Sequence, residues 1–407
     1  MSNRIVLGLG GTVDYEIDWN ERRLDELIGW YGIQPAELSR RAPIESERDL
    51  VRTLAAFLAD GTGGERFVAS SDILEQFAAR FDKRITLGGT CVRAAIALDR
   101  LGVASTVHLV SIDDHVRRLL PASVEVICSA DHDTTDPHLI VQYPAGASVR
   151  VGDSLHRARH PNRIIFTNDP PNRSLVISPD LRVATAVSEV FLVSGFNTIQ
   201  SPDVLADRLD RVAEAIAAVP DGGVVVYEDA GYHLTEFTAA VRERLLGSVD
   251  LWSMNEDELQ HYLDRTVDLL DRDEVHWALL DLRRLFPGPA LVVHTRHWSA
   301  VQAPDARRWA AVVQGGITMA STRYLHGDAW NAIDFEATGR LPRQEEASRL
   351  AEALNTAGHG RLVMVPAFEL VTAHPTTIGL GDSFAGGMIE ALSRERATGS
   401  ESARAVS

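Results

Sequence analysis

The C-terminal stretch TTIGLGDSFAGGMIEAL, Thr376–Leu392, is the most informative part of the chain. The run Met388–Leu392 is helical in character, and Ile378 predicts the end of a buried extended segment. Glycine inside a helix costs about 1 kcal/mol relative to alanine, so glycines kept here indicate a backbone that lies close to another group. Free N–H groups at a helix start bind anions, and Asp382 stands among them. The stretch predicts an anion-binding helix entrance that contains a carboxylate.

Short β-branched runs alternate with amphipathic helical patterns along most of the chain. The predicted strands are Ile5–Leu9, Ser105–Val110, Val124–Ile127, His138–Tyr143, Arg163–Thr167, Val190–Val193, Val224–Tyr227, Asp250–Ser253, Ala290–His294 and Leu362–Val365. The clearest predicted helices are Glu47–Ala59, Ser71–Phe81, Cys91–Leu101, Pro202–Ala218, Leu234–Leu246 and Val275–Leu285. This alternation predicts an α/β fold with a mostly parallel central sheet flanked by helices.

The first half of the chain is less regular than the second. Helical and extended signals mix there with many proline, histidine and aspartate residues. We interpret these parts as a smaller, discontinuous, β-rich lid that interrupts a large domain spanning residues 1–392. The predicted lid segments are 15–31, 64–88 and 131–171, and the polar residues 393–407 predict a flexible tail.

Composition restricts the classes of function. The 407 residues carry a net charge of −17, which argues against nucleic-acid binding through phosphate neutralisation. Two cysteines are too few for a disulfide framework. We find neither a signal peptide nor an apolar run long enough to span a bilayer. We therefore expect a cytoplasmic protein with small-molecule partners and no membrane or nucleic-acid partner, and the sequence leaves the oligomeric state open.

Four polar motifs fall where strands are predicted to end. In open α/β sheets, ligands bind beyond the carboxyl ends of the strands. Each motif alone also has a structural explanation, as a tight turn, a helix-start glycine pair, a capping box or a helix entry. In chain order, the motifs are Gly8–Asp14, Gly88–Thr90, Asn255–Glu258 and Gly379–Asp382. Their joint presence in this order favours a binding site at one edge of the sheet.

These motifs resemble those of the ribokinase-like sugar kinases, and in detail those of the ADP-dependent glucokinase and phosphofructokinase branch. The resemblance extends from about Arg4 to about Leu392. The quoted motifs are TIGLGD at Thr377–Asp382, MNEDEL at Met254–Leu259, GG at Gly88–Gly89, GERF at Gly64–Phe67, NRIIF at Asn162–Phe166, LVSGF at Leu192–Phe196 and VVHTR at Val292–Arg296. The resemblance implies a ribokinase-like fold and a kinase activity.

The resemblance also implies catalytic roles. Asp382 is the expected general base toward the acceptor hydroxyl, worth about 10²–10⁴-fold in rate. The backbone N–H groups of Gly379, Gly381 and Asp382 are expected to hold the transferring phosphoryl group. His294 and Thr295, at a predicted strand end, are expected to line the nucleotide pocket together with Gly381.

For the metal, the resemblance implies Mg²⁺ organised by Asn255 and Glu258, largely through water, since this cation prefers oxygen ligands and retained waters. Glu228 matches the glutamate of a family His-x-Glu motif, but Val226 stands where the histidine is expected. The lid histidines, His138 among them, are too scattered to predict a metal site.

For the acceptor, the resemblance implies that Asp14 and Glu65 bind sugar hydroxyls, while Gly88 and Gly89 let a helix start approach the sugar. The family usually has Asn or Gln at the next position, where this chain has Thr90. Cationic and amide side chains that could bind a sugar phosphate are Arg93, Asn162 and Arg163, and Arg323 is a further candidate phosphate contact.

The preferred hypothesis is therefore a Mg²⁺-dependent kinase that transfers phosphate from ADP to a glucose- or fructose-6-phosphate-like acceptor and releases AMP. Two alternatives stay open. One is an ATP-dependent sugar or nucleoside kinase of the same fold, and the other is a non-catalytic sugar or nucleotide sensor.

Overall fold

A computed structural model describes residues 4–232, 234–372 and 375–405, with side chains described to residue 396. The strands are β1 Ile5–Leu7, β2 Thr12–Asp18, β3 Gly64–Phe67, β4 Arg84–Gly88, β5 Ser105–Leu109, β6 Val124–Cys128, β7 His138–Tyr143, β8 Ser148–Val151, β9 Ser154–Arg157, β10 Asn162–Thr167, β11 Val190–Val193, β12 Val224–Glu228, β13 Leu251–Asn255, β14 Ala290–His294, β15 Trp298–Gln302 and β16 Leu362–Pro366. The α-helices are α1 Glu21–Tyr31, α2 Glu47–Asp60, α3 Ser71–Ala78, α4 Thr90–Arg100, α5 Asp114–Leu119, α6 Pro170–Ser174, α7 Asp180–Thr185, α8 Pro202–Ala217, α9 Phe237–Leu245, α10 Glu256–Leu263, α11 Arg272–Leu285, α12 Ala310–His326, α13 Ala332–Thr338, α14 Glu345–Ala357 and α15 Leu380–Ala405. Single turns of 3-10 helix lie at Pro35–Glu37, Ala306–Trp309 and Gly327–Ala329.

The central sheet has the strand order β16-β15-β14-β13-β12-β11-β1-β5-β6. All neighbours from β14 to β6 pair in parallel, and only β15 and β16 add antiparallel edges. Alternate side chains enter the hydrophobic cores on opposite faces: Leu7 and Leu192 on one face, Val6 and Phe191 on the other. The predicted mostly parallel sheet, covered on both faces, is confirmed.

A second sheet has the order β3-β10-β7-β2-β4 and takes strands from all three predicted lid segments. Its register places Asp14 beside His138, Arg163 beside Gln142, and Glu65 beside Ile165. Because successive side chains alternate between faces, these polar residues share one face of the sheet. The opposite face carries buried apolar residues, namely Val13, Tyr15, Leu139, Val141, Ile164 and Phe166.

Three local predictions differ from the structure. Ile378 lies in a turn rather than at the end of a strand. Asp14 belongs to the second strand, in the smaller sheet, and does not follow β1 directly. Helix α15 continues to Ala405, past the predicted start of the tail at residue 393, while residues 406 and 407 lie outside the described part.

Helix α2 lies between two predicted lid segments, in a stretch assigned from sequence to the large domain. It packs against α1, α3 and the β8–β9 hairpin, so it accompanies the smaller sheet. The role of this sheet as a lid stays a prediction. Within the described ranges, no helix is both long enough and apolar enough to cross a membrane.

Candidate active site

Two observations explain why glycine occupies position 379, in the turn before α15. Gly379 has φ of 66°, a left-handed conformation that favours glycine. A Cβ atom on Gly379 would also lie 2.7 Å from Cδ of Arg93. The helix begins at Leu380, so the N–H groups of its first turn lack partners inside the helix and face outward as a potential anion site.

The glycine pair further along α15 has a packing explanation. A Cβ on Gly387 would meet the backbone oxygen of Gly315 at 2.3 Å, and one on Gly386 would lie 3.1 Å from Cβ of Ala97. These glycines therefore let α15 pack closely against α12 and α4. The close approach fixes the position of the α15 N-terminus relative to the residues of α4.

Asp382 lies in the first turn of α15 with 25% of its side chain exposed. Thr90 donates a hydrogen bond of 2.8 Å from its hydroxyl to the Asp382 carboxylate. Nε of Arg93 lies 3.5 Å from the other carboxylate oxygen. Both partners come from α4, so this helix orients the carboxylate, which stays partly exposed.

Asp14 approaches the same place from the smaller sheet. Its buried carboxylate accepts a hydrogen bond of 2.8 Å from Nη2 of Arg93 and one of 2.7 Å from the Thr12 hydroxyl. A Cβ on Gly88 would lie 2.3 Å from this carboxylate. The Arg93 guanidinium, itself 5% exposed, thus links Asp14 and Asp382 across the two sheets.

The glycine pair predicted to open α4 does so. Gly89 is the N-cap residue of the helix and has φ of 87°. A Cβ there would stand 3.0 Å from Cα of Gly11. The pair therefore brings the start of α4 against the loop that connects β1 and β2, next to Asp14.

Glu65 and Arg163 lie on the polar face of the smaller sheet, as described above, and both are partly buried. Burial lowers the pKa of Arg163, while the charges of Asp382 and Glu65 act in the opposite direction. The guanidinium therefore lies within electrostatic range of both carboxylates. Asn162, the third candidate for a sugar-phosphate contact, instead bonds back to the Arg163 amide.

His138 lies beside Asp14 in the smaller sheet, and sequence reasoning did not include it among the candidate site residues. Its Nε2 lies 3.0 Å from the carboxylate of Asp169. Burial alone would lower the pKa of His138, but Asp169, and more weakly Asp14 and Glu65, raise it to about 9. Asp169 also accepts from Asn172, which donates to the Gly11 carbonyl. A charged imidazolium thus stands beside Asp14 on the polar face.

A second polar group lies at the carboxyl ends of β12 and β14. Nε2 of His294 lies 3.0 Å from Glu228, and its ring stacks on Phe384 with centroids 4.3 Å apart. Burial lowers the pKa of His294, but Glu228 and its acidic neighbours raise it above the ordinary value. The second Glu228 oxygen, Oε2, is buried without a hydrogen-bond partner among the described residues. Gly381 borders this group, since a Cβ there would lie 3.7 Å from the His294 ring.

Asn255 and Glu258 form the capping box that was one interpretation of their spacing. The Asn255 side chain accepts from the Glu258 amide at 3.1 Å, and Glu258 accepts from the Asn255 amide at 2.7 Å. Burial, followed by the charge of Asp229, raises the pKa of Glu258 to about 8. Burial likewise raises the pKa of Asp229 to about 6. These carboxylates and Glu228 make one crowded acidic edge.

Thr295 uses its hydroxyl locally. It donates to the Trp298 carbonyl at 3.0 Å and accepts from the amides of His297 and Trp298. The residue shapes the β14–β15 turn. Any contact of Thr295 with a nucleotide would therefore come from its backbone or methyl group.

Comparisons with solved structures agree with this architecture. A phosphofructokinase from Pyrococcus horikoshii OT3 with AMP is 18% identical and has a TM-score of 0.77, with 97% of this chain and 98% of that chain covered. The last common ancestor of ADP-dependent phosphofructokinases from Methanosarcinales is 15% identical, with a TM-score of 0.71 and coverage of 96% and 94%. An ADP-dependent kinase in complex with fructose-6-phosphate and ADPβS is 14% identical, with a TM-score of 0.70 and the same coverage. These likenesses confirm the predicted fold.

Family membership comes from the sequence. A comparison with curated proteins yields no match. A family model described as the ADP-specific phosphofructokinase/glucokinase conserved region matches residues 3–389, which is nearly the whole chain. The chain therefore belongs to the ADP-specific phosphofructokinase/glucokinase family, as its motifs predicted, and is an ADP-dependent carbohydrate kinase.

Proposed function

We propose that this kinase transfers the β-phosphoryl group of ADP to a hydroxyl of a sugar or sugar phosphate and releases AMP. One observation carries the proposal. The Asp382 carboxylate stands at the N-terminus of α15 and is bound by Thr90 and approached by Arg93, which also binds Asp14. The candidate base Asp382, the free N–H groups at the start of α15 and the carboxylate of Asp14 therefore lie close together, with Arg93 between the two carboxylates.

In the proposed reaction, Asp382 takes the proton of the acceptor hydroxyl while the hydroxyl oxygen bonds to the β-phosphorus of ADP. The bond from that phosphorus to the bridging oxygen breaks, and its electron pair leaves with AMP. The N–H groups of Gly379, Gly381 and Asp382 would stabilise the negative charge on the transferring group, because they are fixed before the reaction begins. Positioning and charge stabilisation supply most of the acceleration in such transfers.

We assign the acceptor to the polar face of the smaller sheet. Asp14 and Glu65 would accept hydrogen bonds from sugar hydroxyls, and Gly88 and Gly89 would keep the wall beside Asp14 free of side chains. Arg163 would add a positive charge on the opposite side of the cleft. Closure of this sheet over the acceptor would exclude water, which otherwise competes as the phosphoryl acceptor.

We assign the nucleotide to the other side of Asp382. His294, held by Glu228 and stacked on Phe384, would form a rigid wall of this pocket. Gly381 would allow the nucleotide phosphates close to the backbone of α15, and the turn containing Thr295 would border the pocket. A kinase of similar fold has been solved with fructose-6-phosphate and ADPβS, which are ligands of the two classes assigned here.

The acidic edge fits a magnesium ion. Among the described residues, no three His, Cys, Asp or Glu side chains are arranged to hold a metal directly, so a magnesium ion here would keep several of its waters. Oε2 of Glu228 is buried and has no hydrogen-bond partner among the described residues, so it is the oxygen of this edge that a metal or its water would satisfy. Glu228, Asn255 and Glu258 would hold the hydrated ion, which would supply positive charge to the phosphates.

The test is a donor and acceptor screen. The protein would be incubated with Mg²⁺, either ADP or ATP, and a panel of sugars, sugar phosphates and nucleosides, with AMP and phosphorylated acceptor as readouts. We expect AMP formation with ADP and at least one sugar or sugar phosphate. Turnover with ATP alone would support the ATP-dependent alternative. Binding of sugar or nucleotide without turnover across the panel would support the sensor.

A further inference from the structure

A cavity of about 220 Å³ adjoins the proposed active site through Arg93. It lies between β4, α4, α12 and the turn at Gly327–Ala329. Its charged lining consists of four arginines and one carboxylate: Arg84, Arg93, Arg100, Arg323 and Asp328. The proposed transfer reaction uses only one of these residues, Arg93, and leaves the others without a role.

Three of the arginines have carboxylate partners. Arg84 pairs with Glu16, Arg93 with Asp14, and Arg323 with Asp328. Two of those carboxylates, Asp14 and Glu16, lie outside the cavity lining and on the acceptor side. The cavity itself is therefore lined by more positive than negative charge.

Arg100 has no direct ion-pair partner among the described residues, and the charges of Asp328 and Asp99 act on it only at longer range. Within the described residues, no carboxylate lies within 4.0 Å of its guanidinium. It donates one hydrogen bond of 3.3 Å to the Trp330 carbonyl, and it lies 5.1 Å from the centroid of the Trp330 ring. Burial lowers the pKa of Arg100. The charged form is thus poorly solvated and would gain from an anion.

Arg323 has a carboxylate partner in Asp328 but does not use all its hydrogen-bond donors, and it is only 5% exposed. Its Nε donates to the Ile378 carbonyl at 2.7 Å, and its Nη1 donates to Asp328 at 2.5 Å. Its Nη2 is buried and finds no hydrogen-bond partner within the described ranges. A buried guanidinium nitrogen that lacks an acceptor is costly. Oδ2 of Asp328 is likewise buried without a hydrogen-bond partner among the described residues, so a side-chain shift would be needed for a cavity ligand to reach Nη2.

We propose that this cavity binds a phosphate-class dianion, held by Arg84, Arg93, Arg100 and Arg323. Several planar guanidinium groups match the oxygens of a phosphoryl group with paired hydrogen bonds. The cavity volume accommodates a phosphate together with a small organic body. The ligand is either free phosphate or the phosphoryl group of a small metabolite.

Two arginines of this cavity contact the turn at Ile378–Gly379 and the candidate base Asp382 that follows it. Arg323 donates a hydrogen bond to the carbonyl of Ile378, which is the residue before Gly379. Arg93 packs against Gly379 and approaches Asp382 at 3.5 Å. A dianion on these two arginines would therefore alter the position or charge environment of Asp382. This arrangement suits either the phosphoryl end of a phosphorylated acceptor or a separate phosphate-bearing effector.

The binding test uses isothermal titration calorimetry with inorganic phosphate at constant ionic strength. We expect one site in the unaltered protein and at least about tenfold weaker binding in Arg100→Gln, because one charged hydrogen-bond donor is lost. Arg100→Lys keeps the charge without the planar fork and should bind with intermediate affinity. Arg22→Gln, which alters a side chain that is 86% exposed, should bind as the unaltered protein does. Thermal unfolding would confirm that each variant is folded.

Absence of phosphate binding to the unaltered protein at millimolar concentration would overturn the proposal. Equal affinity in folded Arg100→Gln would overturn it as well. Neither result depends on catalysis, so failure of the proposed kinase reaction leaves this test unaffected.

The source of the phosphate is a second measurement that rests on the proposed function. If the site holds the acceptor's own phosphoryl group, phosphate will compete with sugar phosphates, and Arg100→Gln will raise their KM but not that of unphosphorylated sugars. If a separate effector binds there, phosphate will change turnover of every acceptor, and Arg100→Gln will abolish that response. Both outcomes support the site, and they assign its ligand.

Discussion

The Thr90 hydroxyl donates a hydrogen bond of 2.8 Å to the Asp382 carboxylate, and so joins the first residue of α4 to the first turn of α15. The same helix carries Arg93 to the other oxygen of that carboxylate. The resemblance placed Thr90 next to the sugar. Here its single proton is committed to the candidate base, so Thr90 can accept a hydrogen bond from an acceptor hydroxyl but cannot donate one.

Thr90→Val should lower kcat more than it changes KM. The variant keeps the shape of the side chain but removes the hydrogen bond that orients Asp382. We expect a loss of roughly tenfold in kcat, the equivalent of one hydrogen bond to a charged group. Steady-state kinetics would measure it. Thr90→Ser retains the hydroxyl and should recover most of the rate, whereas equal losses in both variants would contradict an orienting role.

Asp382→Asn should abolish nearly all phosphoryl transfer while the protein stays folded. The amide is similar in size but cannot accept the acceptor proton, and the side chain is partly exposed, so packing is little altered. We expect kcat to fall by about 10³-fold or more. Single-turnover AMP formation and urea unfolding would separate catalysis from folding. Near-normal turnover in the folded variant would overturn the assignment of the base.

Gly88→Ala should impair acceptor binding. A Cβ there would lie 2.3 Å from both the Asp14 carboxylate and the Thr12 hydroxyl, so Asp14 would have to move away from Arg93. We expect KM for the acceptor to rise about tenfold or more, with a smaller effect on KM for ADP. Gly29→Ala is the control, because its added Cβ meets nothing within 4 Å in the helix. An unchanged acceptor KM in Gly88→Ala would argue against Asp14 as an acceptor ligand.

Glu228→Gln should raise the Mg²⁺ concentration needed for activity. The substitution keeps the size of the side chain but removes the negative charge beside the unpartnered oxygen. We expect the half-saturating Mg²⁺ concentration to increase about tenfold, in line with the loss of an outer ligand. The Mg²⁺-dependent rise of the unfolding temperature with ADP provides a readout other than activity. Glu346→Gln alters an exposed carboxylate and should need the same Mg²⁺ concentration as the unaltered protein. An unchanged Mg²⁺ requirement in Glu228→Gln would show that Glu228 has no part in the metal site.

The large sheet could be predicted from sequence because its strands are buried on both faces. Val190–Val193 and Ala290–His294 have the bounds that their apolar runs predicted. The strand Thr12–Asp18 was not predicted, since its buried polar residues Asp14 and Glu16 face the cleft instead of a core. Its strict alternation of polar and apolar residues is nevertheless typical of a half-buried strand and could have indicated it.

The contacts within the site could be predicted only in part. The motifs placed Asn255 and Asp382 at helix starts, where the structure has them, whereas Asp14 lies within strand β2 and does not follow β1 directly. Arg93 can bridge Asp14 and Asp382 only because α4 and α15 pack closely. The glycines of α15 permit that close packing, but their effect depends on the positions of both helices, which no local pattern gives. The ion pair of His138 and Asp169 likewise joins β7 to the residue before α6, and no local pattern indicates it.

That ion pair makes a prediction about the dependence of stability on pH. The pKa of His138 is about 9 in the folded protein and about 6.5 in an unfolded chain. A raised folded-state pKa means that the folded protein binds the extra proton more tightly. The stabilisation is therefore complete below about pH 6.5 and is lost as the pH rises through 9. The acidic groups whose charges act on the imidazole are Asp169, Asp14, Glu65 and Asp136.

Between pH 6 and pH 10, the unaltered protein should therefore lose about 2–3 kcal/mol more of its free energy of unfolding than His138→Gln. Urea titrations at several pH values would measure the difference. His160→Gln, which alters an exposed histidine, should follow the unaltered protein. Since the other titrating groups are common to all three proteins, parallel pH profiles for His138→Gln and the unaltered chain would show that the imidazolium beside Asp169 does not stabilise the fold.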